Sequence, residues 1–326
     1  MVQSLKTKVL INDLIKEFEI QNLILNKSGK TISWYSSNLK IFSQFLNARG
    51  HSCNVSEIGM DEVNEFILHL RNKNKYEGHP SMPPQQKKLS DQTILAHVQT
   101  LKSFFGWLER SAYIDDNPVK MLGRPRISRK RIEILTRKEI YQVLSAIDLK
   151  TPVGVRDTAI VMTLLDTGLR CAELTNLKME DTHLEQRRLK VMGKGARERV
   201  VPVGSKVHAM LARYIHQYRP EPASIITDHV FLTAYGRPIT VNGIQLMLKR
   251  LAKRSGVRRL HAHLCRHTFA TQYLENGGDV FSLQTILGHS SLEMVRRYLS
   301  LSSDHIVSQH QRFSPLDKIG PGGEGR

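Results

Sequence analysis

Cysteine is scarce in this 326-residue chain: three in all, Cys53, Cys171 and Cys265, far apart and in no Cys-x-x-Cys pair. That excludes a disulfide-built scaffold and a four-cysteine zinc site, and it fits a reducing compartment. Long apolar runs are lacking too. The stretch Ile160 to Leu165 falls far short of the ~20 residues that a membrane-spanning helix takes. The opening residues, Met1 to Lys6, have neither the apolar core nor the cleavage site of a secretion signal. No lipidation signal or polybasic amphipathic helix stands out, which disfavours an anionic membrane surface as partner. These shortages predict a soluble, cytoplasmic protein. No internal repeat is visible, so a solenoid is excluded. Acid is the remaining shortage: 30 Asp and Glu stand against 48 Lys and Arg, a net charge of +18. Such an excess points to a polyanionic partner, nucleic acid first.

What is present is enough to build cores. Hydrophobic residues make up 40%, and the length suits two domains better than one. The first part, residues 1–117, reads as a helical bundle. Ile32, Tyr35, Leu39, Phe42 and Leu46 recur at steps of three and four, with Gly50 placed to stop that helix. A second helix carries Val63, Phe66, Ile67 and Leu70. A third begins at Ser90, a good N-cap, and buries Ile94, Leu95, Val98, Leu101, Phe105 and Leu108. Its opposite face holds Thr93, His97, Thr100 and Ser103, small polar groups suited either to a DNA groove or to plain solvation. A polar loop runs from Asn72 to Leu89. Residues 118–134 form a basic connector in which Lys120, Arg124, Arg126, Arg129, Lys130 and Arg131 meet no acid before Glu133. Gly123 and Pro125 oppose a helix there, so the segment is either a solvated linker or a strap along phosphates, and the overall charge favours the strap.

The second part, residues 135–310, is mainly helical with a small antiparallel sheet. Thr136 and Glu139 form a capping box. Helices are predicted over Tyr141 to Ile147, Arg156 to Leu165, Cys171 to Leu177, Ser205 to Tyr218, Val241 to Arg254, Leu264 to Asn276 and Ser282 to Leu287. Between His183 and Val203 the period drops to two around Gly193-Lys194-Gly195, which reads as a β-hairpin. A short strand at Val230 to Leu232 is expected to complete the sheet. The Gly-rich ending belongs to a disordered tail, residues 311–326.

The chemistry-bearing residues fall in a fixed order. They are Arg170 in Thr-Gly-Leu-Arg-Cys-Ala-Glu, Lys194 in Gly-Lys-Gly, His263 and Arg266 in His-Leu-Cys-Arg-His, His289 in Leu-Gly-His-Ser, and Tyr298 nine residues on. Each signal alone is weak. Together they answer the demands of a phenol attacking a phosphodiester. A phenol with a pKa near ~10 needs a proton acceptor. The extra negative charge at phosphorus needs fixed cations, for which an arginine fork suits two non-bridging oxygens. The departing oxygen needs a proton donor. Three positions separate His263 from Arg266, which puts both on one face at a helix start, where an anion is also favoured. Glu173 is placed to steady Arg170 or the histidine. Gly288 is a helix C′ residue, and Ser290 with Glu293 reads as the capping box of the helix carrying Tyr298.

This order and wording resemble the tyrosine recombinase (phage integrase) family, over most of Thr136 to Ser302. The N-terminal half is similar, more loosely, to that family's core-binding domain. The resemblance implies a site-specific DNA strand transferase, most readily of a mobile element, that needs no metal and no ATP. It makes Arg170 and Arg266 the phosphate clamp and Lys194 the general acid for the 5′ oxygen. His263 becomes the proton acceptor, His289 a ligand of a non-bridging oxygen, and Tyr298 the nucleophile that forms a 3′-phosphotyrosyl link. It also implies four protomers on two duplexes, with Leu299, Leu301, Ile306 and Val307 in a tail that docks onto a neighbour. Cys265 departs from the usual pattern but should pack as a small hydrophobe. A type IB topoisomerase-like enzyme and a catalytically silent DNA-binding regulator share much of this wording. A metal reading of His261, His263, Cys265 and His267 lacks an acidic ligand at a recognisable spacing, so no metal is expected.

Overall fold

The computed structural model describes residues 9–78, 82–123, 132–193, 198–289, 291–298 and 310–318. The chain divides into two units at residues 129 and 130. The first is all helical: α1 (Ile11–Ile24), α2 (Gly29–Arg49), a 3-10 turn (Val55–Glu57), α3 (Met60–Asn72) and α4 (Asp91–Arg110). Ser28 and Ser90 cap α2 and α4 by accepting from the amides of Thr31 and Thr93, at 3.3 and 3.2 Å. The sequence reading did not name α1, although Ile11, Leu14, Ile15 and Phe18 repeat at i, i+3, i+4 and i+7, and all four are buried. Phe42, Phe66, Phe104 and Phe105 fill the centre. The loop after α3 is tied back on itself, with the Lys75 amide on the Lys87 carbonyl at 2.7 Å and the Gln85 amide on the Lys75 carbonyl at 2.8 Å.

Two residues expected on the DNA-facing side of α4 lie inside instead. His97 is buried against the Phe66 ring, centroids 5.8 Å apart, and burial holds its pKa down at about 4. Thr100 has no exposed surface; it accepts from Asn38 and donates to the Ala96 carbonyl. The reason is that α4 is flanked by both α2 and α3, so its apolar stripe is wider than one face. Thr93 stays partly exposed, its hydroxyl 2.9 Å from that of Ser90. Val119 packs into the first core, while Lys120 is exposed and 3.8 Å from Glu109. Arg124, Arg126, Arg129, Lys130 and Arg131 fall outside the described residues.

The second unit gathers around α6 (Pro152–Thr167), whose Val155, Ala159, Ile160, Val161 and Leu164 are wholly buried. Before it come Leu135, buried at the start of the unit, and α5 (Arg137–Ser145), opened by the Thr136–Glu139 capping box. Then follow α7 (Cys171–Thr175), β1 (Thr182–His183), β2 (Arg188–Met192), β3 (Glu198–Pro202) and α8 (Ser205–Arg213). A single π-helical turn, Tyr214–Tyr218, succeeds α8. The unit continues with α9 (Val241–Ser255), α10 (Ala262–Glu275), α11 (Val280–Leu287) and α12 (Leu292–Arg296).

The sheet is antiparallel in the order β1-β2-β3, with Leu189 opposite Val201 and Val191 opposite Arg199. Leu189, Val191 and Val201 face the core, as a half-buried hairpin requires. The third strand is β1 and not Val230 to Leu232, which instead pairs outside the sheet: the Val230 amide donates to the Leu177 carbonyl and Leu232 bridges to Pro238. Its backbone is held by Tyr214, whose hydroxyl accepts from the Leu232 amide. Part of the expected disordered tail is ordered: residues 310–313 form a helical turn and Leu316–Lys318 a 3-10 turn.

Candidate active site

Four chain segments of the second unit converge on one spot: the turn between α6 and α7, β3, the start of α10, and the run from the end of α11 to Tyr298. The convergence begins at Gly168. Its left-handed backbone (φ 61°) ends α6, and a Cβ there would lie 2.6 Å from Phe269 and 2.8 Å from Leu287. Only a bare glycine lets the α6–α7 turn approach α10 and α11 so closely. The buried Gly168 carbonyl accepts from Arg266, at 2.6 Å.

Arg266 is the hub. Its guanidinium is 4% exposed and donates to the Gly168 carbonyl, to the Leu287 carbonyl at 2.8 Å and to His289 Nε2 at 2.9 Å. Burial, with Arg170 close by, lowers its pKa to about 10, which leaves it charged at neutral pH. Because a guanidinium only donates, His289 Nε2 must accept, and the ring proton sits on Nδ1. That Nδ1 is buried and has no hydrogen-bond partner among the described residues. Burial and the arginines Arg266, Arg170 and Arg199 hold the His289 pKa down at about 4, so the ring is neutral. The left-handed Gly288 (φ 63°) ends α11 and turns His289 inward, as the sequence predicts.

Arg170 caps α7 and is half-exposed. Its amide bonds Glu173 Oε2 at 2.9 Å and its guanidinium bonds Oε1 at 2.8 Å. Glu173 is buried and is shared with a residue the sequence reading missed, Arg199 on β3. Arg199 grips both carboxylate oxygens, at 3.0 and 2.8 Å, and donates through Nε to the Ile286 carbonyl at 2.8 Å. Burial pushes the Glu173 carboxyl up, but the bonds from Arg199 and Arg170 outweigh it and hold the pKa below its ordinary value. The sequence did carry a signal for Arg199: it keeps the two-residue period with Val201 and Val203, both buried, and is opposite Val191, while Val200 between them is exposed. An arginine at an inward strand position calls for a buried partner, which Glu173 supplies.

Tyr298 follows α12 and is 7% exposed. Its ring stacks on His289, with an interplanar angle of 8° and centroids 6.5 Å apart. Its hydroxyl lies 2.9 Å from Nδ1 of His267, a residue not among those expected in the site. Burial raises the phenol's pKa against the opposing pull of Arg266, Arg297 and Arg170. His263 sits exposed at the first turn of α10, its pKa lowered by burial and by His261, Arg266 and Arg170. Cys265 is fully buried, as expected of a small hydrophobe, and burial takes its thiol up to about 12. The N-cap of α12 is Ser291, not Ser290, which lies outside the described residues, as do Lys194 and the tail residues Leu299, Leu301, Ile306 and Val307. No group of three His, Cys, Asp or Glu among the described residues forms a metal-holding cluster. No described helix is long and apolar enough to cross a membrane.

Comparison with known proteins places this geometry. Residues 133–305 match the phage integrase family, and residues 10–125 match the phage integrase SAM-like domain. Tyrosine recombinase XerC of Oceanobacillus iheyensis is 30% identical over 94% of this chain and 96% of its own. XerC of Bacillus pumilus is 32% identical at the same coverage, and XerD of Listeria innocua 29% over 94% of this chain and 99% of its own. Among solved structures, the Tn1549 transposon integrase with circular intermediate DNA superposes with a TM-score of 0.74 at 21% identity, over 93% of this chain and 99% of that one. The XerH site-specific recombinase bound to difH gives 0.66 at 22% identity, over 92% and 82%. The chain belongs to the phage integrase family of tyrosine recombinases, enzymes that transfer DNA strands.

Proposed function

We propose that this protein is a site-specific recombinase of the Xer type that cuts and rejoins duplex DNA through a 3′-phosphotyrosyl link to Tyr298. The observation that carries this is the buried Tyr298, whose ring lies along His289, itself held by Arg266, where segments far apart in sequence meet. In this reading the scissile phosphate enters between Arg170 and Arg266, and the free Nδ1–H of His289 bonds a non-bridging oxygen. The preorganised donors meet charge as it develops at phosphorus. Lys194, carried by the β2–β3 hairpin, protonates the departing 5′ oxygen. The covalent link keeps the phosphodiester's energy, so rejoining needs neither ATP nor metal.

The basic residues from Lys120 to Arg131 run along phosphates, and four protomers assemble on two duplexes. The curated relatives bear Xer names along nearly their whole length, which favours the Xer type over a mobile-element enzyme. The test is a nicked suicide duplex carrying the recombination site. Wild type should be trapped on the 3′ phosphate, while Tyr298→Phe should bind equally well and form no adduct. An adduct formed by the phenylalanine variant sinks the proposal.

A further inference from the structure

The family resemblance gives proton acceptance to His263, yet a different imidazole meets the nucleophile. His263 and His267 stand one helical turn apart on α10, so they share a face. His263 is at the exposed mouth, and His267 lies one turn deeper, partly buried, with Nδ1 at 2.9 Å from the Tyr298 hydroxyl. The neighbouring His289 is already committed, since its Nε2 accepts from Arg266 and its Nδ1 therefore carries the proton.

We propose that His267 Nδ1 is the atom that takes the proton from Tyr298 when DNA is cut, an assignment that rests on Tyr298 being the nucleophile. The phenol is buried and reluctant to ionise, so an acceptor in contact with it is needed. His267 suits the task because burial, then Arg297, His263, His261 and Arg266, hold its pKa below the ordinary histidine value. It is neutral at physiological pH, and with its proton on Nε2 it offers a lone pair at Nδ1. His289 lies parallel to the Tyr298 ring, and Arg266, Arg297 and Arg170 bear on the phenol. In the cutting step the Tyr298 proton moves to His267 Nδ1, leaving an imidazolium. The phenolate electron pair forms the O–P bond, and the P–O5′ pair departs with the 5′ oxygen, which takes a proton from the Lys194 ammonium. Rejoining reverses both transfers.

The test is single-turnover cleavage of the suicide duplex from about pH 5 to pH 9, a range that spans histidine titration. Wild type should be flat above neutral pH and fall only in acid. His267→Ala and His267→Asn should bind the duplex as wild type does yet cleave roughly 100- to 10,000-fold slower at pH 7. Their rates should rise steadily with pH as hydroxide takes over. Asparagine places an amide where Nδ1 stands, so it keeps a hydrogen bond but cannot take the proton. Added imidazole should partly restore the alanine variant, which shows that its site is folded. A near-wild-type, flat profile for His267→Asn overturns the proposal. So does a profile in which His263→Ala alone becomes pH-dependent, or a slow alanine variant that imidazole leaves unchanged. Mapping the adduct in wild type separates the two claims: attachment to a residue other than Tyr298 defeats the phosphotyrosyl reading itself, whatever the histidine rates.

Discussion

Replacing Arg199 by methionine tests the inner scaffold of the site. Arg199 and Glu173 expose only 8% and 5% of their side chains, so this is a buried ion pair. Methionine fills much of the volume but leaves Glu173 with Arg170 alone and strips the Ile286 carbonyl of a donor. Removing one partner of a buried pair typically costs about 3–5 kcal/mol. The retained Arg170 contacts place this case at the low end, about 3 kcal/mol. For a unit of this size each kcal/mol lowers Tm by roughly 2–4 °C, so scanning calorimetry should find the transition of the second unit about 6–12 °C lower. Removing the stranded charge as well, in Arg199→Met with Glu173→Leu, should recover most of that loss, because two apolar residues carry no unpaired buried charge.

The pH dependence has a definite sign. Glu173 has a depressed pKa in the folded protein, so its contribution is complete above the ordinary carboxylate value and is lost as pH falls through the lower folded value. The gap between wild type and Arg199→Met should therefore be full at neutral pH and close in acid. Cleavage should slow by up to about 100-fold, since the turn bearing His289 loses its brace and small misplacements near the chemistry are costly. A Tm within 2 °C of wild type, at most about 1 kcal/mol on the same scale, would refute the bracing role. A double variant no better than the single one would refute it equally.

Two further outcomes concern the phosphate and the leaving group. Arg170→Ala and Arg266→Ala should each lose at least about 100-fold in cleavage, with far smaller effects on DNA affinity measured by mobility shift, since many phosphate contacts share it; Arg266→Ala should also lower Tm, because the Gly168 and Leu287 carbonyls lose their donor. Lys194→Ala should be severely slow on ordinary DNA but largely restored on a duplex with a 5′-bridging sulfur, which departs without protonation, whereas Arg266→Ala should show no such rescue; equal failure of the lysine variant on both duplexes moves the acid elsewhere.

The elements legible in the sequence were those set by short-range rules. Capping at Ser90 and Thr136, the left-handed stop at Gly288 and the two-residue period of β2 and β3 depend on neighbours within a few positions, and the structure has each where the pattern puts it. The misreadings had longer-range causes. His97 and Thr100 look like a polar face until α2 and α3 close over both flanks of α4. Val230 to Leu232 has strand composition, but its partners are Leu177 and Pro238, and no local pattern records that choice.

The same division holds at the site. The sequence by itself determined which groups were available and in what order, because the demands of attacking a phosphate restrict the useful residue types to very few. Which of those groups meet was decided only by the tertiary structure. Packing of α10 against α6 and α11 put Arg266 within reach of two carbonyls and His289. The packing of the inward face of β3 against α7 brought the unremarked Arg199 onto Glu173. One turn of helix, a rise of only about 5.4 Å, placed His267 rather than His263 against the Tyr298 hydroxyl. Spacing in sequence puts both histidines on that face; only the depth at which the chain after α12 crosses it selects between them.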